Sequence, residues 1–174
     1  MPYEAIVRKM DMGWIALAAS ERGLAALTLP RKNRKLAEFA MKKSLKDEKI
    51  EIFSDPHHML DGFFYTVVDY FKGEAKDFPF DLDLSHGSEF DRTVWKVVRR
   101  IPYGETRSYK WVAVNAGRPE ASRAVGGAVG KNPMPIVVPC HRVIRSDGSV
   151  GGFGSGVRWK KRLLKLERKN ISNF

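Results

Sequence analysis

The chain's only cysteine, Cys140, stands directly before His141 and Arg142. A soft nucleophile beside a base and a fixed positive charge is the make-up of a reactive thiol, because the thiolate is the attacking form and such neighbours favour it. Pro133, Pro135 and Pro139 lie just upstream; they remove backbone donors and fix φ, which predicts a stiff extended approach holding the thiol in place. The alternative is a small apolar core cysteine, and the two polar neighbours weigh against it. A base works best when a carboxylate orients it, and Glu167 is the one acid after Asp147. An acid in the last turn of a basic helix opposes the helix dipole unless something specific holds it. Cys140, His141 and Glu167 therefore form a candidate triad, provided the last helix packs on the cysteine segment. Neighbours on an extended chain point apart, so a bridging water is expected between Cys140 and His141.

The elements that must position these groups fall into two lobes of an α+β fold. Apolar runs at Tyr3 to Lys9, Trp14 to Ala18 and Leu24 to Leu29, separated by glycine-ended turns, predict a small three-stranded antiparallel sheet. Leu36, Phe39, Ala40 and Leu45 predict the inward stripe of a helix over 33–46. Asp55-Pro56 reads as the cap and first turn of another, running to Gly73 with Phe63, Phe64, Tyr70 and Phe71 as core. An extended segment over 78–84 then leads to a lobe boundary near His86-Gly87, giving domains 1–86 and 87–174. The second lobe reads as mainly helical. Ser88 caps a helix with Asp91 three residues on, and Ser108 caps one that stops at Gly117. Pro119 starts another, running through Arg123 to about Val129 with Gly130 as its C-cap, so the pair has a helix-turn-helix pattern. Val157 to Lys169 forms the last helix, with Leu163, Leu164 and Leu166 inward. The glycine-rich stretch from Val150 to Gly156 lacks the spacing of a nucleotide-binding loop, but it can close over a flat ligand.

Composition narrows the partners. Of 174 residues, the first 87 carry 13 Lys and Arg against 14 Asp and Glu, and the remainder carry 18 against 6. The whole net charge of +11 thus resides in the second lobe, as a phosphate-backbone partner requires. One cysteine excludes an internal disulfide and a cysteine-rich zinc site, and four histidines, two of them adjacent, do not supply ligand spacing; no metal and no cofactor are expected. Neither a secretory leader nor an apolar run of membrane length is present, so the expected location is the cytoplasm.

Taken together, Ser122-Arg123-Ala124-Val125-Gly126-Gly127-Ala128, Asn132-Pro133, Pro139-Cys140-His141-Arg142-Val143 and the glycines from Gly151 to Gly156 resemble the O6-alkylguanine-DNA alkyltransferases. The likeness runs in unbroken order through about the last 85 residues; the first lobe matches only in plan, a ribonuclease H-like one without the zinc site some members carry. The resemblance implies direct repair of alkylated guanine in double-stranded DNA, bound through the minor groove by a monomer. The alkyl group of O6-alkylguanine, and of O4-alkylthymine, would pass irreversibly to Cys140 in a single turnover. His141 would activate Cys140 through a water, Glu167 would orient His141, and Asn132 would hold the turn shaping the segment. Arg123 would replace an extruded base in the stack, with Ser122, Ala124, Gly126 and Gly127 along the DNA. Tyr109 would donate to guanine N3. The carbonyls of Cys140 and Val143 would accept from the guanine amino group, under a cover formed by Val150, Gly151, Phe153 and Gly154. Phe153 and Gly154 stand where the family often has Tyr and Ser, and a main-chain donor survives that change. A Cys-His-Glu hydrolase and a non-catalytic lesion-binding module are the competing readings.

Overall fold

The computed structural model describes residues 2–46, 48–54 and 58–171 and divides into two compact units, Met1–His86 and Gly87–Phe174. In the first unit β1 (Tyr3–Met10), β2 (Gly13–Ser20) and β3 (Gly23–Leu27) form an antiparallel meander. A fourth strand, β4 (Ile50–Phe53), extends the expected three-stranded sheet by pairing parallel with β1, so the order is β3-β2-β1-β4. It escaped sequence reading because it spans four residues and follows a charged stretch, too short to show alternation. Helix α1 (Arg34–Ser44) is capped by Asn33, whose side chain accepts from Leu36 N–H.

The inward stripe of α1 is Ala37, Met41 and, just beyond its end, Leu45, packed on Ala5, Val7, Ala16 and Ala18. Leu36 and Phe39, expected inside, are exposed at 46% and 67%. Two stripes offset by one residue fit the same apolar spacing, and small Ala37 allows close approach to an alanine-rich sheet. Period two sends Ile6 to the opposite face, and α2 (His58–Lys72) also packs on β1 and β2. Phe63 and Tyr70 are buried there, with Phe80 edge-on to Phe63 at 4.2 Å. The cap expected at Asp55-Pro56 lies outside the described residues. The segment after α2 runs beside β3, where Leu24 N–H donates to Asp81 O and Asp83 N–H donates to Leu24 O.

The second unit is built from α3 (Glu89–Arg99), α4 (Tyr109–Asn115), α5 (Ser122–Gly130) and α6 (Val157–Ile171), joined by two-residue strands β5 (Arg107–Ser108) and β6 (Val143–Ile144). The expected capping box forms: Ser88 Oγ accepts from Asp91 N–H and the Asp91 carboxylate accepts from Ser88 N–H. α3 buries Val94, Trp95, Val97 and Val98, and its Trp95 indole donates to Ala128 O of α5 at 2.9 Å. Ser108 Oγ accepts from Trp111 N–H and so caps α4. A tight turn with Gly117 at φ +75° leads on, and α4 packs on α5 as a helix-turn-helix.

α5 begins at Ser122, three residues after Pro119, and ends on Lys131, so Gly130 is its last helical residue rather than its cap. The prolyl turn is consumed in bringing the chain back from α4. β5 and β6 pair parallel, Arg107 with Val143 and Ser108 with Ile144, which ties the start of α4 to the end of the cysteine segment. Trp95→Phe removes part of a buried ring and leaves the Ala128 carbonyl without its indole donor; the variant should lose about 2–4 kcal/mol in urea unfolding, with α5 the element whose amide exchange rises most.

Candidate active site

The cysteine segment is not extended. The prolines break it into successive turns, and Cys140–Arg142 form one turn of 3-10 helix. Two hydrogen bonds, Val138 N–H to Met134 O and Arg142 N–H to Pro139 O, close these turns at 2.9 Å each. Buried Ile136 sits at φ +69°, a conformation that costs a β-branched residue of order 1–3 kcal/mol and persists only where its surroundings impose it. Asn132 is the imposing group. Its Oδ1 accepts from Met134 N–H at 3.0 Å, while its Nδ2 donates to Val138 O at 2.8 Å and to Cys140 Sγ at 3.1 Å. One amide thus braces the turn and touches the cysteine sulfur.

Glu167 is fully buried at the inner face of α6. Its Oε1 lies 2.6 Å from His141 Nε2; Arg142 donates through Nε to Oε2 at 3.0 Å and through Nη2 to Oε1 at 3.0 Å. Gly104 N–H donates to Oε2 at 2.9 Å, and Arg142 Nη1 donates to Ile101 O at 2.6 Å. Arg142, expected beside the thiol as its fixed charge, is turned instead onto this carboxylate. The 3-10 turn sends successive side chains in different directions, which an extended reading cannot foresee. It also answers the oddity of an acid in the last turn of α6: two side-chain partners and a backbone N–H hold it there.

Burial and these partners set the protonation states. Despite its burial, Glu167 is pulled down to about 2 by its hydrogen bonds and charge interactions with His141 and Arg142. It is therefore an acceptor only, so His141 Nε2 carries the proton and Nδ1 the lone pair. Burial outweighs the pull of Glu167 and lowers His141, which is neutral at pH 7. Burial pushes the Cys140 thiol up to about 11, with Asn132 and Lys160 opposing it. Tyr109 is raised, first by burial and then by Cys140. Lys160, wholly buried on α6, falls to about 8 because burial disfavours its charge.

A cavity of about 560 Å3 is lined by Tyr109 from α4, Ser122, Arg123, Gly126, Val129 and Gly130 from α5, Arg145, and the loop residues Gly152, Phe153 and Gly154; Cys140 is not in its lining. The structure thus brings together Tyr109, Ser122, Arg123, Gly126, Phe153 and Gly154 from the expected set. Ala124 and Gly127 are exposed on α5 outside the cavity lining. Val143 is buried in β6, and neither Val150 nor Gly151 lines the cavity, although a Cβ on Gly151, at φ +73°, would come within 3.2 Å of the Tyr109 hydroxyl. Arg123 is exposed and Cys140 only 5% exposed. Sequence reading missed Lys160, Arg145 and the Gly104 N–H. For Lys160 a signal existed: it precedes Glu167 by seven residues, two helical turns on one face, with buried Leu163 between. The predicted inner stripe of Leu163, Leu164 and Leu166 shrinks accordingly, since Leu164 and Leu166 are half-buried.

Among the described residues no His, Cys, Asp and Glu side chains group to hold a metal, and no helix is long and apolar enough to cross a membrane. The model of the family described as "6-O-methylguanine DNA methyltransferase, DNA binding domain" matches residues 89–169. The chain is 40% identical over 175 residues to a methylated-DNA–protein-cysteine methyltransferase of Methanosarcina barkeri, covering 98% of this chain and 99% of that protein. A protein of the same name from Mycolicibacterium paratuberculosis is 54% identical over 101 residues, 58% of this chain and 61% of its own length. The crystal structure of Mycobacterium tuberculosis OGT in complex with DNA is similar at TM-score 0.78 and 36% identity, covering 96% of this chain and 94% of that one.

The buried carboxylate makes acid stability a direct probe of the site. The unfolded chain binds a proton at His141 near pH 6.5 that the folded state takes up only at lower pH, and one at Glu167 near pH 4.5 that the folded state takes up only near 2. The part of the stability that these two groups carry is therefore complete above the first value and falls through both windows as pH drops. In Glu167→Gln the lower window should vanish from a urea-unfolding series against pH. Stability at neutral pH should also drop by about 3 kcal/mol, because Arg142 is left buried and unpaired.

Proposed function

The chain belongs to the methylated-DNA–protein-cysteine methyltransferases, enzymes of DNA repair, and from that premise we propose that Cys140 is its alkyl acceptor and that it acts once. The observation that carries the reading is the joining of three things in one unit: a buried thiol bonded to Asn132, a His141–Glu167 pair at 2.6 Å, and a cavity whose rim holds exposed Arg123.

An alkyl group on guanine O6 lies inside the base stack, so the base must leave the duplex to be attacked, at a cost of a few kcal/mol. Arg123, on a helix whose exposed face carries Ala124 and Gly127, enters the gap from the minor groove and offsets part of that cost. With a thiol near 11, only on the order of one molecule in ten thousand is thiolate at neutral pH, so the resting sulfur is nearly inert. The proton leaves when the substrate is in place, passing through a water to His141 Nδ1; the imidazolium that forms is stabilised by ionised Glu167. Sulfur then displaces the alkyl carbon: the S–C bond forms, the C–O6 bond breaks and its electron pair stays on the base. Tyr109 donates toward N3 as that charge develops, and the thiol proton ends, in net terms, on guanine.

The thioether has no carbonyl for water to attack and no second nucleophile resets it, so one molecule repairs one lesion. O4-alkylthymine presents an equivalent ether carbon and follows the same route. The carbonyls of Cys140 and Val143 accept from the guanine amino group, and the loop through Phe153 and Gly154 covers the base.

Intact-mass measurement after incubation with a duplex holding O6-methylguanine should show one added methylene per chain, located at Cys140 and absent from Cys140→Ala, which should still bind DNA. Repeated ester turnover would indicate the hydrolase, and binding without mass change the lesion-binding module. Arg123→Ala should slow repair in duplex by about tenfold or more while leaving reaction with the free base nearly unchanged; equal losses would remove the extrusion role.

A further inference from the structure

Among the described residues, Lys160 is a fully buried titratable group beside Tyr109 that the reaction above leaves unused. Its side chain is fully enclosed, yet its Nζ meets only neutral acceptors: Gly152 O at 3.1 Å and the Tyr109 hydroxyl at 3.5 Å, with the Tyr109 ring centroid 5.7 Å away. Among the described residues no carboxylate pairs with it. A buried ammonium without an anion is costly, and it would be replaced by Met or Leu if only packing mattered. What it does to its two partners is fixed by its chemistry.

An ammonium has three donors and no acceptor, so the Tyr109 oxygen must take a Lys160 proton on a lone pair. The phenol's own proton is thereby excluded from that direction and left to point elsewhere, and Tyr109 lines the cavity. The bond to Gly152 ties the glycine-rich loop to α6, the helix that also carries Glu167. We infer that Lys160 is a positioning residue for alkyl transfer: its ammonium holds the Tyr109 hydroxyl as an outward-facing donor to the bound base and pins the covering loop. This rests on the alkyl-transfer reading of Cys140 and Tyr109 given above.

The inference has a pH signature. The groups facing Lys160 are Tyr109 from α4, Cys140 and His141 from the 3-10 turn, and Arg145 from the turn after β6. Tyr109 is raised above its ordinary 10 and Cys140 sits near 11, while His141 is lowered below 6.5. Lys160, at about 8, alone changes state between. Below that pH it donates to the phenol. Above it, the neutral amine offers a lone pair, the phenol turns to donate inward, and the base loses its donor.

The test is the second-order rate of methyl transfer from an O6-methylguanine duplex, measured between about pH 6 and about pH 9.5. The unmodified protein should show a downward bend near 8. Lys160→Met should be slower by about tenfold or more at neutral pH and show no bend. Lys160→Arg, which donates at every pH, should recover part of the rate with a flat profile through that range. Tyr109→Phe, which keeps the lysine and removes its phenolic partner, should also lose the bend, and adding Lys160→Met to it should slow transfer little further. A bend that persists in Tyr109→Phe or Lys160→Met overturns the inference, as do fully multiplicative losses in the double variant. An unmodified protein that transfers normally with no bend sinks this inference alone; one that transfers nothing sinks the acceptor role of Cys140 and this inference with it.

Discussion

Everything in the second unit's chemistry is hung on the carboxylate of Glu167. One side chain on the last helix receives His141, Arg142 and the Gly104 amide, drawing together the 3-10 turn, the loop after α3 and α6. A buried anion of this kind is stabilising only because its lone pairs are all claimed; with any partner missing the desolvation penalty would stand uncompensated. Arg142 is committed at both ends, to the carboxylate and to Ile101 O, and its guanidinium also lies 5.5 Å from the centroid of the Tyr103 ring. The space is correspondingly tight. Gly104 stands at φ +77°, a conformation that strains any residue with a Cβ, and a Cβ there would also push the end of the Ile171 side chain aside. The carboxylate therefore dictates a backbone amide, a ring tautomer and a glycine at once.

The same burial that makes the network firm makes the sulfur quiet. Desolvation raises both acids, Cys140 and Tyr109, and lowers the basic groups His141 and Lys160. Cys140, Tyr109 and His141 are thereby held neutral, while Lys160 at about 8 keeps its charge at neutral pH, and reaction requires charges that the resting site disfavours. Those charges become affordable only when they appear in pairs across short distances, a thiolate with an imidazolium and a leaving base with a donor.

The His141–Glu167 pairing was legible in the sequence for a physical reason: Glu167 broke the charge rule for its helix, and a rule broken locally marks a tertiary partner. Capping chemistry was equally legible at Ser88 and Ser108, because a cap is decided by residues three apart. What failed was direction. The prolines around Pro139 were read as an extended strand, whereas Asn132 folds them into turns through contacts six and eight residues away. In α1 the apolar spacing admitted two inward faces, and only the alanine-rich sheet chooses between them. Lys160 was invisible to a search for apolar stripes because a cation occupied a core position, and β4 because its partner strand is some 45 residues distant in sequence.

The two-residue ladder between β5 and β6 has a consequence for how such a chain tolerates insertions and deletions. Ser108 caps α4 and pairs with Ile144, so the ring of Tyr109 and the sulfur of Cys140 are indexed to each other through only a few backbone steps. One residue gained or lost between Cys140 and Ile144 would turn the ladder over and break that indexing. The turn at Ser146-Asp147-Gly148, closed by its own Arg145–Ser149 and Arg145–Gly148 bonds, can lengthen without moving either atom. Length variation is thus channelled out of the nucleophile's own segment and into the exposed turn that follows it.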